Sequence, residues 1–273
     1  MLWQAIGLAG GVAVLATAMT LALAPLHPSP VMAGGVFIAN LAAGDLTGGL
    51  GVGHFILLIL ALVMTARLAG VLPITVWRTL QSRHRHRHLV GLISQPWPTA
   101  RPGHGHVLDH PVAAVYCLPG RAPRGRPRVV FTTGALDRLD DGELAAVLAH
   151  EHAHLTERHD LVAMPFLAWM TAFPWFPGVR RAKTSVAVLL ELVADDRALR
   201  VADPAALASA LARIGGGDNT APAGALAITG GGVLLRVQRL LHPPRRSPVW
   251  RTAAYLMAAG LVMSPIAVML PWG

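Results

Sequence analysis

The first half of the chain alternates long apolar runs with short polar joints. Residues 2–24 (LWQAIGLAGGVAVLATAMTLALA) carry no charge and exceed the roughly 20 residues that cross a bilayer. The segment before this run lacks a positive charge, so a retained span is favoured over a cleaved signal peptide. Residues 25–51 are rich in Pro and Gly, with Asp45 as the one acid and no Lys or Arg. Their apolar run, 31–43, is too short to span and reads as a re-entrant or interfacial helix. Residues 52–76 predict a second span, interrupted by His54 and by Arg67, whose long stem could snorkel to the interface.

Beyond residue 88 the pattern changes. Short β-branched runs at 112–118 (VAAVYCL) and 128–132 (RVVFT) flank the turn-rich PGRAPRGRP and predict strands of a small sheet. Asp140 followed by Glu143 has the spacing of a helix capping box. Leu144, Val147, Leu148, Glu151, His154 and Leu155 then recur at helical spacing. Residues 161–179 are apolar enough for a span, but Pro165, Pro174 and Pro177 argue against one continuous helix. Further helices are expected over 183–201 and 204–214. Glycine runs at 215–219 and 230–232 bracket a flexible stretch, and a last span is expected at 252–270.

Composition fits a membrane protein. Of the 273 residues, 53% are hydrophobic and 14% charged, against about a quarter charged in soluble chains. The net charge of +9 sits beside apolar segments, as in Arg78, Arg83, Arg85 and Arg87, and again in Arg245, Arg246 and Arg251. That placement fits a membrane surface better than nucleic acid, so no direct nucleic-acid binding is expected. The positive-inside rule puts these stretches, and everything from 77 to 245, in the cytoplasm. The run RHRHRH at 83–88 then reads as a solvated juxtamembrane anchor. The single Cys117 excludes an intramolecular disulfide and reads as a small apolar residue.

The chemistry gathers in LAAVLAHEHAHLTERHD, residues 144–160, which contains HExxH as His150-Glu151-His152-Ala153-His154. Residues four apart share a helix face, so His150 and His154 can offer ring nitrogens to one ion, while Glu151 can act as general base on an activated water. A catalytic zinc takes three protein ligands and keeps an open position. The best third ligand is Glu191 in LLELVADDRAL, 189–199. Asp195, one turn on, can accept the second N–H of a ligand histidine. One Zn2+ per chain is expected. His159 and Arg197 are candidates to stabilise an oxyanion, His152 reads as a passenger, and Asp160 as structural. His104, His106 and His110 read as exposed polar residues in a loop.

The run VFTTGALDRLDDGELAAVLAHEHAHLTERHD resembles the membrane-embedded gluzincin metallopeptidases: the HtpX/CAAX-protease family and the penicillin-sensor-transducer (antirepressor) family. Both have a strand, a Thr-x-Gly turn and an ELxAVLAHExxH helix followed by Asp. The matching residues are Thr133-Gly134, with a departure in spacing, Glu143 to His154, and Asp160. Glu191-x-x-Ala194-Asp195 is similar to the families' ExxAD, and AVYCLPG at 114–120 to the segment near their edge strand. FPWFPGVRRA at 173–182 resembles the aromatic-proline segment of the sensor-transducer branch. The chain ends at Gly273 without an extracellular penicillin-binding domain, so the expectation is the protease module without β-lactam sensing.

The fold expected is a mainly α membrane protein with about three transmembrane helices and a cytoplasmic α+β gluzincin domain carrying a small sheet. Its parts are an N-terminal membrane region (1–76), the metallopeptidase domain (77–245) and a C-terminal span (246–273). Glu191 must reach the side of the membrane that holds His150 and His154, so 161–179 is expected to form a broken hairpin in or on the bilayer. A strand around 128–132 could align an extended substrate. The resemblance implies a repressor-like protein substrate, or membrane proteins under quality control. A non-catalytic signalling scaffold is the competing class, although it would not need Glu151. An intramembrane site-2-type protease fits less well, because Glu143, Glu157, Arg158 and Asp160 are too many charges for hydrocarbon. Partners expected are protein substrate and lipid bilayer; assembly with further copies stays open.

Overall fold

The apolar N-terminal region forms three helices in the computed structural model, which describes residues 2–96, 105–120, 127–215, 230–242 and 252–260. They are α1 (Leu2–Leu23), α2 (Pro30–Ala42) and α3 (Val52–Ile93). Ala22, Leu23, Ala33, Leu50 and Leu58 form a small buried cluster between them. Elsewhere α3 turns Ile56, Leu60 and Val63 outward. Within the described residues, α3 is the helix long and apolar enough to cross a membrane. The expected span at 252–270 lies largely outside the described residues, of which 252–260 are helical.

Two expectations for α3 are corrected. The helix does not stop near 76 but continues to Ile93, with Pro73 inside it. Between Pro73 and Gly91 the sequence holds no Gly or Pro to end it. Arg67 does not snorkel: its Nε donates to the Ala172 carbonyl at 2.7 Å, and its guanidinium lies 5.3 Å from the Trp175 ring centre. The last carbonyls of a helix lack partners along the chain, and a cation there satisfies one.

The chain divides into two compact units, one formed by Met1–Thr75, Pro165–Val179 and Arg246–Gly273, the other by Val76–Met164 and Arg180–Arg245. The second holds a four-stranded sheet of β1 (Ser94–Pro96), β2 (Gly105–Leu108), β3 (Val115–Leu118) and β4 (Arg128–Thr132), in the order β1-β2-β4-β3. β2 and β4 run parallel, and the other pairs antiparallel. The expected strand at 112–118 is shorter, and β1 and β2 were not legible because their segments lack a β-branched run. β4 lies inside the sheet, so it offers no edge to a substrate; β1 and β3 are the edge strands.

A short helix α4 (Thr133–Leu136) follows β4, capped by Thr132 Oγ1, which accepts from Ala135 N at 3.2 Å. Next comes α5 (Asp141–Thr156), with a complete capping box. Asp140 Oδ1 accepts from Glu143 N at 2.8 Å, and Glu143 Oε2 accepts from Asp140 N at 3.0 Å. One face of α5 packs Leu144 and Val147 on Phe131, Leu139 and Ala210, the last from α8 (Pro204–Gly215). α6 (His159–Ala172) tolerates Pro165, the turn after it holds Pro174, and α7 (Pro177–Ala198) begins on Pro177. The helix expected from 183 therefore starts six residues earlier, since proline's fixed φ and missing N–H suit a first helical position. The second glycine run opens α9 (Gly230–Leu241); the stretch between the two runs lies outside the described residues.

Candidate metal centre

α5 and α7 each contribute two residues one helical turn apart. On α5, the His150 and His154 Nε2 atoms lie 3.0 Å from each other. On α7, Glu191 reaches both, with Oε2 3.3 Å from His150 Nε2 and Oε1 3.4 Å from His154 Nε2. The three ligand atoms lie within 4.8 Å of one another, close enough for one ion to reach all three. Two imidazoles and a carboxylate are a donor set that suits zinc.

The outer nitrogen of each histidine is also engaged. Asp195 Oδ1 lies 2.9 Å from His150 Nδ1. His154 Nδ1 lies 2.8 Å from His159 Nδ1. In the tautomer that leaves His154 Nε2 free for an ion, its Nδ1–H donates to His159. Burial, followed by the charge on His154, lowers the His159 pKa to about 4, which keeps that ring a neutral acceptor. His159 thus braces His154. Arg197 is likewise occupied elsewhere, in an ion pair with Glu157 at 2.6 Å.

Arg236 on α9 was missed. It is 5% exposed, and it holds Asp195 with Nε and Nη2 at 2.8 and 2.7 Å and Glu191 Oε2 with Nη1 at 2.8 Å. The signal was available: Val233, Arg236, Val237 and Leu240 follow helical spacing, so the arginine falls on an apolar stripe, where a charge needs a partner.

Protonation follows this network. Burial opposes a charge on His150, but the hydrogen bonds it donates to Asp195 and Glu191 outweigh it and raise its pKa to about 9. Burial would raise the carboxyl pKa of Glu191 and Asp195, yet the histidines and Arg236 hold both below their ordinary values. Glu151 moves the other way, raised by burial. Its carboxyl accepts a hydrogen bond from the Cys117 thiol on β3, and burial together with that negative charge keeps the thiol protonated.

The remaining candidates lie apart. His152 is exposed on another face of α5, beside a groove lined by Leu148, Thr156, Arg197 and Val201. Asp160 accepts from Arg83 Nη1 at 2.6 Å. His104 lies outside the described residues; His106 contacts Ser94 Oγ at 3.1 Å, and His110 Nδ1 accepts from Val112 N.

No curated protein and no solved structure matches the chain. A family model does: residues 104–212 match Peptidase family M48. That stretch, less than half of the chain, holds His150, His154 and Glu191, and the family it is similar to is one of zinc metallopeptidases.

Proposed function

We propose that the chain is an integral-membrane, zinc-dependent endopeptidase hydrolysing peptide bonds of cytoplasmic or membrane-proximal proteins. The observation that carries this reading is the convergence of His150, His154 and Glu191, with Asp195 behind His150, inside the segment that matches a peptidase family. Zinc held there supplies a Lewis acid that polarises the scissile carbonyl and activates water. Glu151, adjacent to the first ligand, takes the proton of the attacking water and delivers it to the leaving amine. Burial raises its carboxyl pKa, the direction that favours taking up a proton. Asp195, His159 and Arg236 fix the ligand orientations. The edge strand β3, whose Cys117 touches Glu151, offers backbone pairing to an extended substrate before the point where Arg87 takes the Leu118 carbonyl.

Membrane insertion is supported by the length and apolar surface of α3. The arginines at 78–87 favour a cytoplasmic catalytic domain in a multi-pass protein. Regulatory proteolysis of a repressor-like substrate is the biological role proposed, with HtpX-like quality control of membrane proteins as the alternative. A scaffold would need no general base, and Glu151 stands against it. Replacing Glu151 with alanine tests the reading: zinc retained with proteolysis abolished supports the enzyme, while unchanged biological activity favours the scaffold. Substrate captured on the same variant separates a repressor from a misfolded membrane protein.

A further inference from the structure

The basic segment of α3 carries two interleaved pairs at a spacing of four residues. Arg83 and Arg87 form one stripe. Arg83 Nη1 lies 2.6 Å from Asp160 Oδ2, and Arg87 Nη1 donates to the carbonyls of Leu118 at 3.4 Å and Pro119 at 2.7 Å. His84 and His88 form the neighbouring stripe, and both are exposed. Their rings meet edge to face with centroids 4.4 Å apart, and their Nε2 atoms are 3.1 Å apart.

That separation is what one metal ion requires. With metal–imidazole bonds of about 2.0–2.1 Å, two nitrogens on one ion stand about 2.9 Å apart at a right angle and about 3.3 Å apart in a tetrahedron. The His150–His154 pair shows nearly the same spacing, 3.0 Å. Without a metal, the His84–His88 contact is one N–H···N hydrogen bond, so an ion would replace a single bridging proton. Arg83 and Arg87 direct their charge into Asp160 and two carbonyls, which weakens the repulsion a dication would meet.

We infer that His84 and His88 form a second, surface site for a borderline divalent cation, with two ring nitrogens and water completing the coordination. Copper(II) binds it more tightly than zinc, following the general order for nitrogen ligands. Occupancy staples the helical turn between the two arginine contacts, and so stiffens the segment that holds Asp160 and the end of β3. The site is independent of the peptidase reading.

Equilibrium dialysis of the tag-free, full-length chain in detergent micelles against zinc tests it. Two equivalents per chain are expected, with one lost in the double variant His84→Ala/His88→Ala and both kept in His86→Ala. Copper(II) added to zinc-loaded protein should give an electron paramagnetic resonance signal with two equatorial nitrogens, absent from the double variant. Equal zinc content in wild type and double variant overturns the site. Should the double variant fail to fold, His84→Gln decides alone: a zinc content equal to wild type overturns the site.

Discussion

Arg236 grips Asp195 by both carboxylate oxygens, with Nε 2.8 Å from Oδ2 and Nη2 2.7 Å from Oδ1. The same guanidinium reaches Glu191 at 2.8 Å. Its removal by Arg236→Ala strips the guanidinium from two buried acids and leaves them to the histidines, and breaking a buried ion pair costs about 3–5 kcal/mol. Thermal unfolding of the metal-free protein should show a large loss of stability. Arg236→Lys should recover little of it, since an ammonium cannot reproduce the fork. A variant as stable as the wild type would remove Arg236 from the network.

Asp195→Asn keeps the shape and removes the charge behind His150. Loss of such a partner lowers metal affinity by about 10–100-fold. Competition with a chromophoric zinc chelator measures this directly. Affinity within a factor of two of wild type would mean that the His150–Asp195 contact does not orient the ligand.

Zinc uptake should release a proton from His150 near neutral pH. The free-protein pKa is raised to about 9, whereas an imidazole must be neutral to ligate. In the metal-free protein, the stabilisation linked to this histidine is complete below about 6.5 and is lost as pH rises through about 9. Zinc affinity runs in the opposite sense, strengthening with pH up to that value. Titration calorimetry in buffers of different ionisation enthalpy counts the protons; a count of zero at pH 7 contradicts the prediction.

Gly134 has no room for a side chain, because a Cβ there would stand 2.1 Å from the Pro111 carbonyl oxygen. The backbone N–H of Gly134 also donates to the His110 carbonyl at 3.0 Å, fixing it in place. Gly134→Ala should therefore destabilise the domain by about 1–3 kcal/mol, as overpacking does, with a lowered melting temperature as readout. The glycine of the Thr-Gly turn thus has a steric reason.

Local signals were the legible ones. The spacing of Asp140 and Glu143 marks the start of α5, and the four-residue steps of His150 to His154 and Glu191 to Asp195 place each pair on one face. Contacts set by distant partners were not legible. β2 exists because β4 supplies a pairing partner, and β1 because β2 does, not because Gly105–Leu108 or Ser94–Pro96 favour strands. The arginines of the basic run look like a solvated anchor until Asp160 and the carbonyls of Leu118 and Pro119 are seen to take two of them. Arg236 is the clearest case, since only the fold brings it to residues so far away in sequence.

The distance along the chain from Asp195 to its arginine has a consequence for synthesis. Arg236 follows Asp195 by 41 residues. A nascent chain therefore carries every proposed zinc ligand and Glu151 before it carries the cation that neutralises Glu191 and Asp195. Until α9 has left the ribosome and docked, Glu191 and Asp195 lack the guanidinium that pairs with them in the folded protein.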